Sequence, residues 1–544
     1  MIVINEIKKL VSKELNIDDR NIKMVIPKLN KYGYISIHYH NLIEMTGLSK
    51  EEIKKKLEQI LNIEYVEKIE YINEYCNVFI FKNEYINYFI KNYNYKYVIN
   101  SLDIGKGQSI LLEHTSSTPD SSPHLGRSRG TIIGDFLKHI LTLTNFDVKT
   151  EYFVNDLAKQ VSMVVSAYDF EKKYNLKQIS EIYQKVYNAC KQNEDIEKFV
   201  EYQIKQCQNG NIYYKQKFKN VVDNYMEEQE KLFDEFNVYF DNYVYESDIL
   251  DSRQAETLQM LADKNLIKID GNGCICVPMS KKNSFIKNII LTRSNGSSLY
   301  IFRDLCYFIK KHKDYEKNII VLPEYQKEHI NDINYILSQI GLPISTVIYY
   351  ADSYNKGEKM STKNNSGVLL EDLIGELRKL VLEANYGFDN DTIKNITNKV
   401  IRKYVLNFKP KNKLIYNAKE IEKMCYLEIK KTLFMQKFKE NTTLQVNENF
   451  KNQIINFELI KKMDMFDDIV KKSAQSLQAS LLLKYEQELD KIFLESYING
   501  EINQEIINIY ILINRIINEE IIDKICERRN LENESSFIYT NKIK

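Results

Sequence analysis

The stretch that most restricts what this chain can fold into is "SILLEHTSSTPDSSPHLGRSRGTIIGDFLKHIL", Ser109 to Leu141. "SILLEHTS" is a short apolar strand and "STPDSSP" a turn-rich loop. From Ser128 onward Ile132, Ile133, Phe136, Leu137, Ile140 and Leu141 recur at helical spacing. A strand, a polar loop and a helix N-terminus meet there, the building step of a layered α/β fold. The junction presents unpaired backbone N–H groups and the positive end of a helix dipole, which favour phosphate. Pro123 shapes the loop, His124 can donate to a phosphoryl oxygen, and Gly126 lacks the side chain that would block close backbone approach. A histidine capping an ordinary turn would account for the same residues.

The surroundings agree with an α/β core. Residues 91–385 carry nearly all the Gly and Pro punctuation and alternate short β-branched strands with amphipathic helices, the pattern of a Rossmann-like, doubly wound domain. Within it, about 169–242 is charged, helix-periodic and almost free of Gly, and reads as an inserted helical hairpin. Residues 1–90 mix helical patterns ("SKEEIKKKLEQIL") with strand-like runs ("YGYISIHYH", "EYCNVFIFKNEYI") and read as a small α+β domain. From about 386 to 544 the pattern is helical to the end, an all-α bundle. At 544 residues the chain is too long for one core.

A second polar loop lies far downstream. "NKGEKMSTKNNSGVLLEDLIGEL" places Lys359, Ser361 and Lys363 just before a helix beginning near Leu369. Two alternate lysines there can close over a triphosphate and neutralise charge that develops as pyrophosphate leaves. A solvated basic loop is the plainer alternative. The formal charge of +1 does not advertise a polyanion partner, although a local basic face binds phosphate on a neutral chain equally well.

Other chemistries find less support. The eight cysteines are scattered without a CxxC pair. Cys274-Ile-Cys276 would put two thiols on one strand face, and His38 and His40 would share a strand face, but neither pair has further ligands nearby. No metal site is assigned. "MIVINEIKKLVSKEL" alternates charge with apolar residues, unlike a signal peptide, and "IINIYILINRIINEEII" is broken by Asn514, Arg515, Glu519 and Glu520. The expectation is a cytoplasmic protein with no membrane segment.

In this order and at this separation, the two loops resemble the paired signatures of class I aminoacyl-tRNA synthetases, His-x-Gly-His and Lys-Met-Ser-Lys-Ser. The finer resemblance is to arginyl-tRNA synthetases of the archaeal and eukaryotic-like type. "GKGQSILLEHTSSTPDSSPHLGRSRGTIIGDFLKHIL" is similar to that family's strand, loop and helix, and "VKTEYFVNDLAKQ" to its "VNDxGxQ" segment. "FDNYVYESDIL" resembles its "ESD" element, "LTRSNGSSLYIFRDLCY" its "RSDGTxTYxTRDxAY", and "IRKYVLNFKPKNKLIYN" the start of its helical domain. The likeness is continuous from about residue 95 to 425, looser before 90 and faint after 430.

The resemblance implies an ATP-dependent ligase that activates L-arginine to the adenylate and passes it to the 2′-hydroxyl of the terminal adenosine of tRNA(Arg). It implies ATP contacts from Pro123, His124, Gly126, Arg127 and Met360, with His124, Arg127, Lys359, Ser361 and Lys363 as the catalytic residues. Glu113, Ser116, Thr118, Asn155, Tyr300, Asp304 and Gln326 would surround the amino acid, with Glu113 and Asp304 facing the guanidinium. Outside the resemblance, Asp304 would pair with Arg303 or a helix lysine, and Tyr300 would be core. Mg2+ would arrive on the ATP phosphates without a dedicated protein site. The domain of residues 1–90 would touch the tRNA elbow and that of 386–544 the anticodon, in a monomer.

The departures are equally specific. Arg127 stands where the second signature histidine belongs, and losing one such donor costs about 3 kcal/mol of transition-state stabilisation. Thr118 replaces an asparagine, Asn295 an aspartate, and the chain ends in "FIYTNKIK" rather than Pro-Glu-Arg-Met. Two readings follow. Lys359, His124, Glu113, Tyr300 and Asp304 together point to a diverged but active arginine–tRNA ligase. Arg127 and Thr118 point to a catalytically impaired paralogue that binds RNA or a nucleotide.

Overall fold

The computed structural model describes all residues except 28–29, 281–285, 295, 363–365, 441–455 and 525–544. The chain forms two compact units that do not follow chain order: one of Met1–Asp103, Phe438–Ser476 and Leu481–Ile517, the other of Ile104–Lys437, Leu477–Ser480 and Asn518–Lys544.

The second unit is built on a five-stranded sheet of β1 (Ser109–Glu113), β2 (Asp147–Val154), β3 (Asn242–Tyr245), β4 (Lys317–Pro323) and β5 (Thr346–Tyr350). Its order is β5-β4-β1-β2-β3, and every neighbouring pair is parallel. The central strands read as unbroken apolar runs because helices cover both faces: Ile110, Leu111 and Leu112 of β1 and Ile319, Ile320 and Val321 of β4 are all buried. From β1 the chain winds outward through β2 to β3, then returns and winds the other way through β4 and β5. The strand order therefore reverses between β1 and β4, and a doubly wound sheet opens its crevice at the C-terminal ends of those two strands.

The crossovers place the helices that matter. α1 (Leu125–Leu143) leads from β1 to β2. The expected hairpin between β2 and β3 is instead three helices, α2 (Leu176–Gln192), Glu194–Gln208 and Ile212–Glu235. Two short-range breaks explain the difference. Asn193 caps the second helix by accepting from the Asp195 N–H, and Gly210, at φ +82°, ends it before Asn211 caps the third. α3 (Tyr300–Asp314) precedes β4, α4 (Lys327–Ile340) joins β4 to β5, and α5 (Leu370–Glu383) follows the second polar loop. Phe302 and Leu305 of α3 and Ile333 and Leu337 of α4 pack with Phe153 and Ile320 in one core. Past residue 386 the pattern is not wholly helical, since Leu414–Ile415 pairs in parallel with the Ser353–Asn355 strand.

The first unit holds a four-stranded antiparallel sheet in the order Met24–Val25, Ile35–His38, Tyr75–Ile80, Val66–Ile72. The helices Phe457–Asp464 and Gln504–Arg515 belong to it, and Tyr85 donates to the buried Asp464 at 2.5 Å. His38 ends its strand and caps the Tyr39–Thr46 helix, which contains His40, so these two histidines do not share a strand face. Among the described residues no helix is long and apolar enough to cross a membrane.

Candidate active site

α1 begins three residues earlier than its apolar spacing indicates, because His124 is its cap. The imidazole Nδ1 accepts from the Arg127 backbone N–H at 3.3 Å, which leaves Nε2 as the ring's donor. Burial pushes the His124 pKa down to about 3, the Arg127 guanidinium adds to the drop, and Asp120 opposes it. At neutral pH His124 is therefore uncharged: it offers an oriented N–H dipole, not the positive charge expected of it.

Arg127 keeps its charge but spends part of it locally. Its guanidinium reaches both oxygens of Asp120, at 2.7 and 3.4 Å, and the Ser121 hydroxyl at 2.9 Å. Burial disfavours the cation, yet Asp120 more than offsets this and raises the pKa. The loop that exchanged a histidine for a longer cation thus holds that cation with its own buried carboxylate.

The two polar loops run side by side. The Leu125 N–H donates to the Val368 carbonyl at 2.7 Å and the Leu370 N–H to the Pro123 carbonyl at 3.0 Å, an antiparallel bridge centred on His124 and Leu369. Gly367 permits the approach, since a Cβ there would lie 2.6 Å from the Cβ of His124. Lys359 forms an ion pair with Asp352 at 2.7 Å, remains half-exposed, and lies 5.8 Å from the centre of the Tyr325 ring. Met360 is buried and its N–H donates to the Ser353 carbonyl at 2.8 Å. The Ser361 N–H donates to the Ser366 hydroxyl at 3.1 Å. Lys363 and Asn295 lie outside the described residues.

The residues expected to surround the amino acid lie in part at the strand ends. Glu113 closes β1 and is buried. One of its oxygens accepts from Lys311 of α3 at 2.5 Å and the other from the Ser116 hydroxyl at 3.0 Å. Its charge is thus already matched by a lysine that no sequence pattern singles out. Thr115 and Ser116, at φ +74° and +37°, hold left-handed backbone that non-glycine residues rarely adopt, so the loop leaves β1 under strain. Thr118 follows in that loop, and its carbonyl accepts from the Asp120 N–H at 2.8 Å.

Asp304 pairs with neither Arg303 nor a helix lysine. It meets Nε2 of His329 at 2.6 Å, and Tyr300 stacks on that imidazole with centroids 4.7 Å apart. Tyr300 is exposed rather than core, at 58%. Arg303 turns instead to the buried Glu246 at 2.6 Å. Gln326 ends the short turn after β4 that also carries Tyr325 and leads into α4 with His329. Asn155 follows β2, and its amide oxygen is buried with no hydrogen-bond partner among the described residues.

Two further carboxylates belong here. Burial raises Glu246 to about 7, against the pull of Arg303 and with the help of Asp304 and Asp156. Burial likewise raises Asp156 to about 6, although the Ser247 hydroxyl and N–H donate to it. Folding then favours protonated Asp156, so its stabilising contribution is complete below pH 4 and is lost as pH climbs through about 6. Asp156→Asn, which keeps the shape without titrating, is expected to gain melting temperature over the wild type from pH 4 to 7 and to hold a constant lead above it. Thermal scanning across that range reads this.

Arg129 is a further buried residue that the motifs do not point to. It is wholly enclosed and donates to the Ala351 carbonyl at 2.7 Å and the Lys409 carbonyl at 2.9 Å, tying α1 to the exit of β5. Helical spacing holds the clue: Arg129 falls four residues after Leu125 and three before Ile132, on the inner face. Among the described residues no group of three His, Cys, Asp or Glu side chains is placed to hold a metal ion.

Residues 90–403 match the family of tRNA synthetases class I (R), catalytic domain. The arginine–tRNA ligase of Methanocaldococcus jannaschii is 28% identical over 531 residues, covering 91% of this chain and 92% of that protein. That of Archaeoglobus fulgidus is 29% identical over 383 residues, covering 66% of this chain and 67% of its own. Among solved structures, the Thermus thermophilus arginyl-tRNA synthetase superposes with a TM-score of 0.70 at 16% identity, covering 96% of this chain and 98% of that one. The arginyl-tRNA synthetase from Plasmodium falciparum superposes with a TM-score of 0.66 at 16% identity, covering 95% and 96%. A catalytic-domain match over more than half the chain, on a doubly wound sheet whose two polar loops meet at the switch point, makes this chain a member of the arginine class I tRNA synthetases.

Proposed function

We propose that this chain is an arginine–tRNA ligase, joining L-arginine to tRNA(Arg) at the expense of ATP. The observation that carries the reading is the antiparallel pairing of His124 with Leu369, which sets the phosphate-facing loop and the lysine loop against one another. Activation is an in-line attack of the arginine carboxylate on the α-phosphorus of ATP, and the enzyme's task is positioning and charge stabilisation. The positive end of the α1 dipole, with the open backbone approach at Gly126, receives the phosphates. The neutral His124 donates through Nε2. Lys359 leaves Asp352 for the departing pyrophosphate, joined by Lys363, with Ser361 and Met360 shaping the loop. Arg127, held by Asp120, lends its field. Mg2+ travels with the nucleotide, and no residue of this chain is assigned to it.

Asp304 receives the guanidinium, with Tyr300 as its wall. Asn155 and Gln326 orient the polar end, and Ser116 and Thr118 line the loop. Glu113 supports that loop through Ser116 with its charge balanced by Lys311. Residues 1–90 touch the tRNA elbow and residues 386–544 the anticodon. The enzyme works as a cytoplasmic monomer.

Arginine-dependent exchange of pyrophosphate into ATP, run with and without tRNA, tests this. His124→Ala is expected to lower its kcat roughly 100-fold with the arginine KM unchanged. The loss is expected to be equal at pH 6 and pH 8, because His124 titrates near 3. A wild-type protein that shows no exchange under any of these conditions overturns the reading.

A further inference from the structure

The helical insertion does more than decorate the sheet: one face of α2 grips both polar loops. Lys177, Ser180 and Gln184 follow each other at intervals of three and four, so they share that face. Lys177 forms an ion pair with Asp372 at the start of α5, at 2.6 Å. The Ser180 hydroxyl accepts from the Ser122 N–H at 2.7 Å, in the loop that leads to His124. Gln184 donates through Nε2 to the Thr362 carbonyl at 3.1 Å, three residues beyond Lys359.

Ser180 and Lys177 hold parts that are also held elsewhere: the Ser122 hydroxyl donates to Glu371, and the Leu370 N–H to the Pro123 carbonyl. Lys359 pairs with Tyr354 in a short antiparallel ladder and the Met360 N–H donates to the Ser353 carbonyl, so among the described residues the sheet's hold ends at Met360 and the Thr362 bond lies beyond it. Around it, the loop's own bonds are local ones, from Ser361 to Ser366 and from Ser366 back to the Lys359 carbonyl. Among the described residues, the other bond that reaches Thr362 is a long one between its hydroxyl and that of Ser121, at 3.4 Å. Among the described residues, Gln184 therefore ties Thr362, three residues past Lys359, to a rigid helix by the shorter of its two side-chain bonds.

We propose that Gln184 is a positioning residue for the activation step, fixing through the Thr362 carbonyl where the Lys359 ammonium can reach. This rests on the proposed ligase activity. It assigns to the insertion a role in the first half-reaction, before any tRNA is needed for transfer. Lys359 serves the transition state only if the loop returns to one place each time. A loop released from Gln184 must be ordered again at the moment of reaction. The binding of arginine, on the other side of the crevice, does not depend on it.

The test compares Gln184→Ala with the wild type in two backgrounds. In the native background we expect kcat for arginine-dependent pyrophosphate exchange to fall roughly 5- to 10-fold, the size of one lost neutral hydrogen bond. Melting temperature and arginine KM are expected to stay where they were, as alanine suits a helix face. In a Lys359→Ala background the same substitution is expected to change nothing further, because its effect passes through that lysine. Gln184→Glu, whose ionised carboxylate cannot donate to a carbonyl, is expected to behave like Gln184→Ala. An equal loss in both backgrounds, a raised arginine KM, or an unaffected kcat overturns the proposal. Hydrogen exchange decides independently of activity: the Ser361 and Ser366 amides are expected to exchange faster in Gln184→Ala. Unchanged exchange there would overturn it even in a protein with no ligase activity, whereas failure of the wild type to catalyse pyrophosphate exchange speaks only against the ligase reading.

Discussion

Asp304→Asn is expected to reduce kcat/KM for arginine by about 100-fold in pyrophosphate exchange while leaving the ATP KM in place. The carboxylate is three-quarters enclosed, its side chain 25% exposed, and its one ion-pair partner among the described residues is the ring nitrogen of His329. A guanidinium arriving there finds an acceptor with planar geometry, and truncating one member of such a charge pair costs about 2–5 kcal/mol. Residual solvent access places the expected value in the lower half of that range, and every 1.4 kcal/mol is about tenfold. The amide keeps the volume and an acceptor oxygen for His329, so the stack with Tyr300 persists. Steady-state exchange at varied arginine and varied ATP measures both constants, and an arginine KM that does not move removes Asp304 from the recognition site.

Arg402→Ala is expected to be the most destabilising single change in the larger unit. The side chain is fully buried: Nη1 donates to Asp135 at 2.5 Å, Nη2 to the Phe236 carbonyl at 2.7 Å, and Nε faces Asp523 at 3.2 Å. Burial works against the Asp135 charge, but His139 and Arg402 hold it below the usual carboxylate range. Removing the guanidinium strands two carboxylates that water cannot reach, a loss of about 3–5 kcal/mol. Asp135 lies on α1, so the damage extends to the helix that carries His124. The sign with pH follows from the lowered pKa: Asp135 stabilises the fold above its unfolded value, and that contribution is lost as pH falls through the folded one. The gap between wild type and Arg402→Ala is therefore expected to narrow as pH falls below about 4. Melting temperatures at several pH values measure it, and a gap that widens on acidification excludes this account.

Much of the site is legible in the order of residues. Tyr300 and Asp304 sit in "RSNGSSLYIFRDLCY", and His124 and Lys359 in loops bounded by apolar runs, because catalytic loops follow strands whose hydrophobic pattern is readable. What does not show there is pairing. Glu113 carries the residue type and position expected to face arginine, but its partner Lys311 lies 198 residues away, and no local spacing reports it. The Arg303–Glu246 pair is hidden for the same reason, as is the turn that brings Tyr325 beneath Lys359. The three-helix insertion reads as a two-helix hairpin because an asparagine cap breaks a helix without altering its apolar period.

By itself, the sequence determined the alternation of strand and helix, the two polar loops and their distance along the chain, since each depends on neighbours within a few positions. Only the tertiary structure decided the charge each group carries. Burial leaves His124 neutral, Asp120 holds Arg127, Asp352 holds Lys359, and Asp156 and Glu246 keep their protons to higher pH. Protonation answers to water and to whatever charge lies within a few ångströms, and which charges those are is set when distant segments pack together.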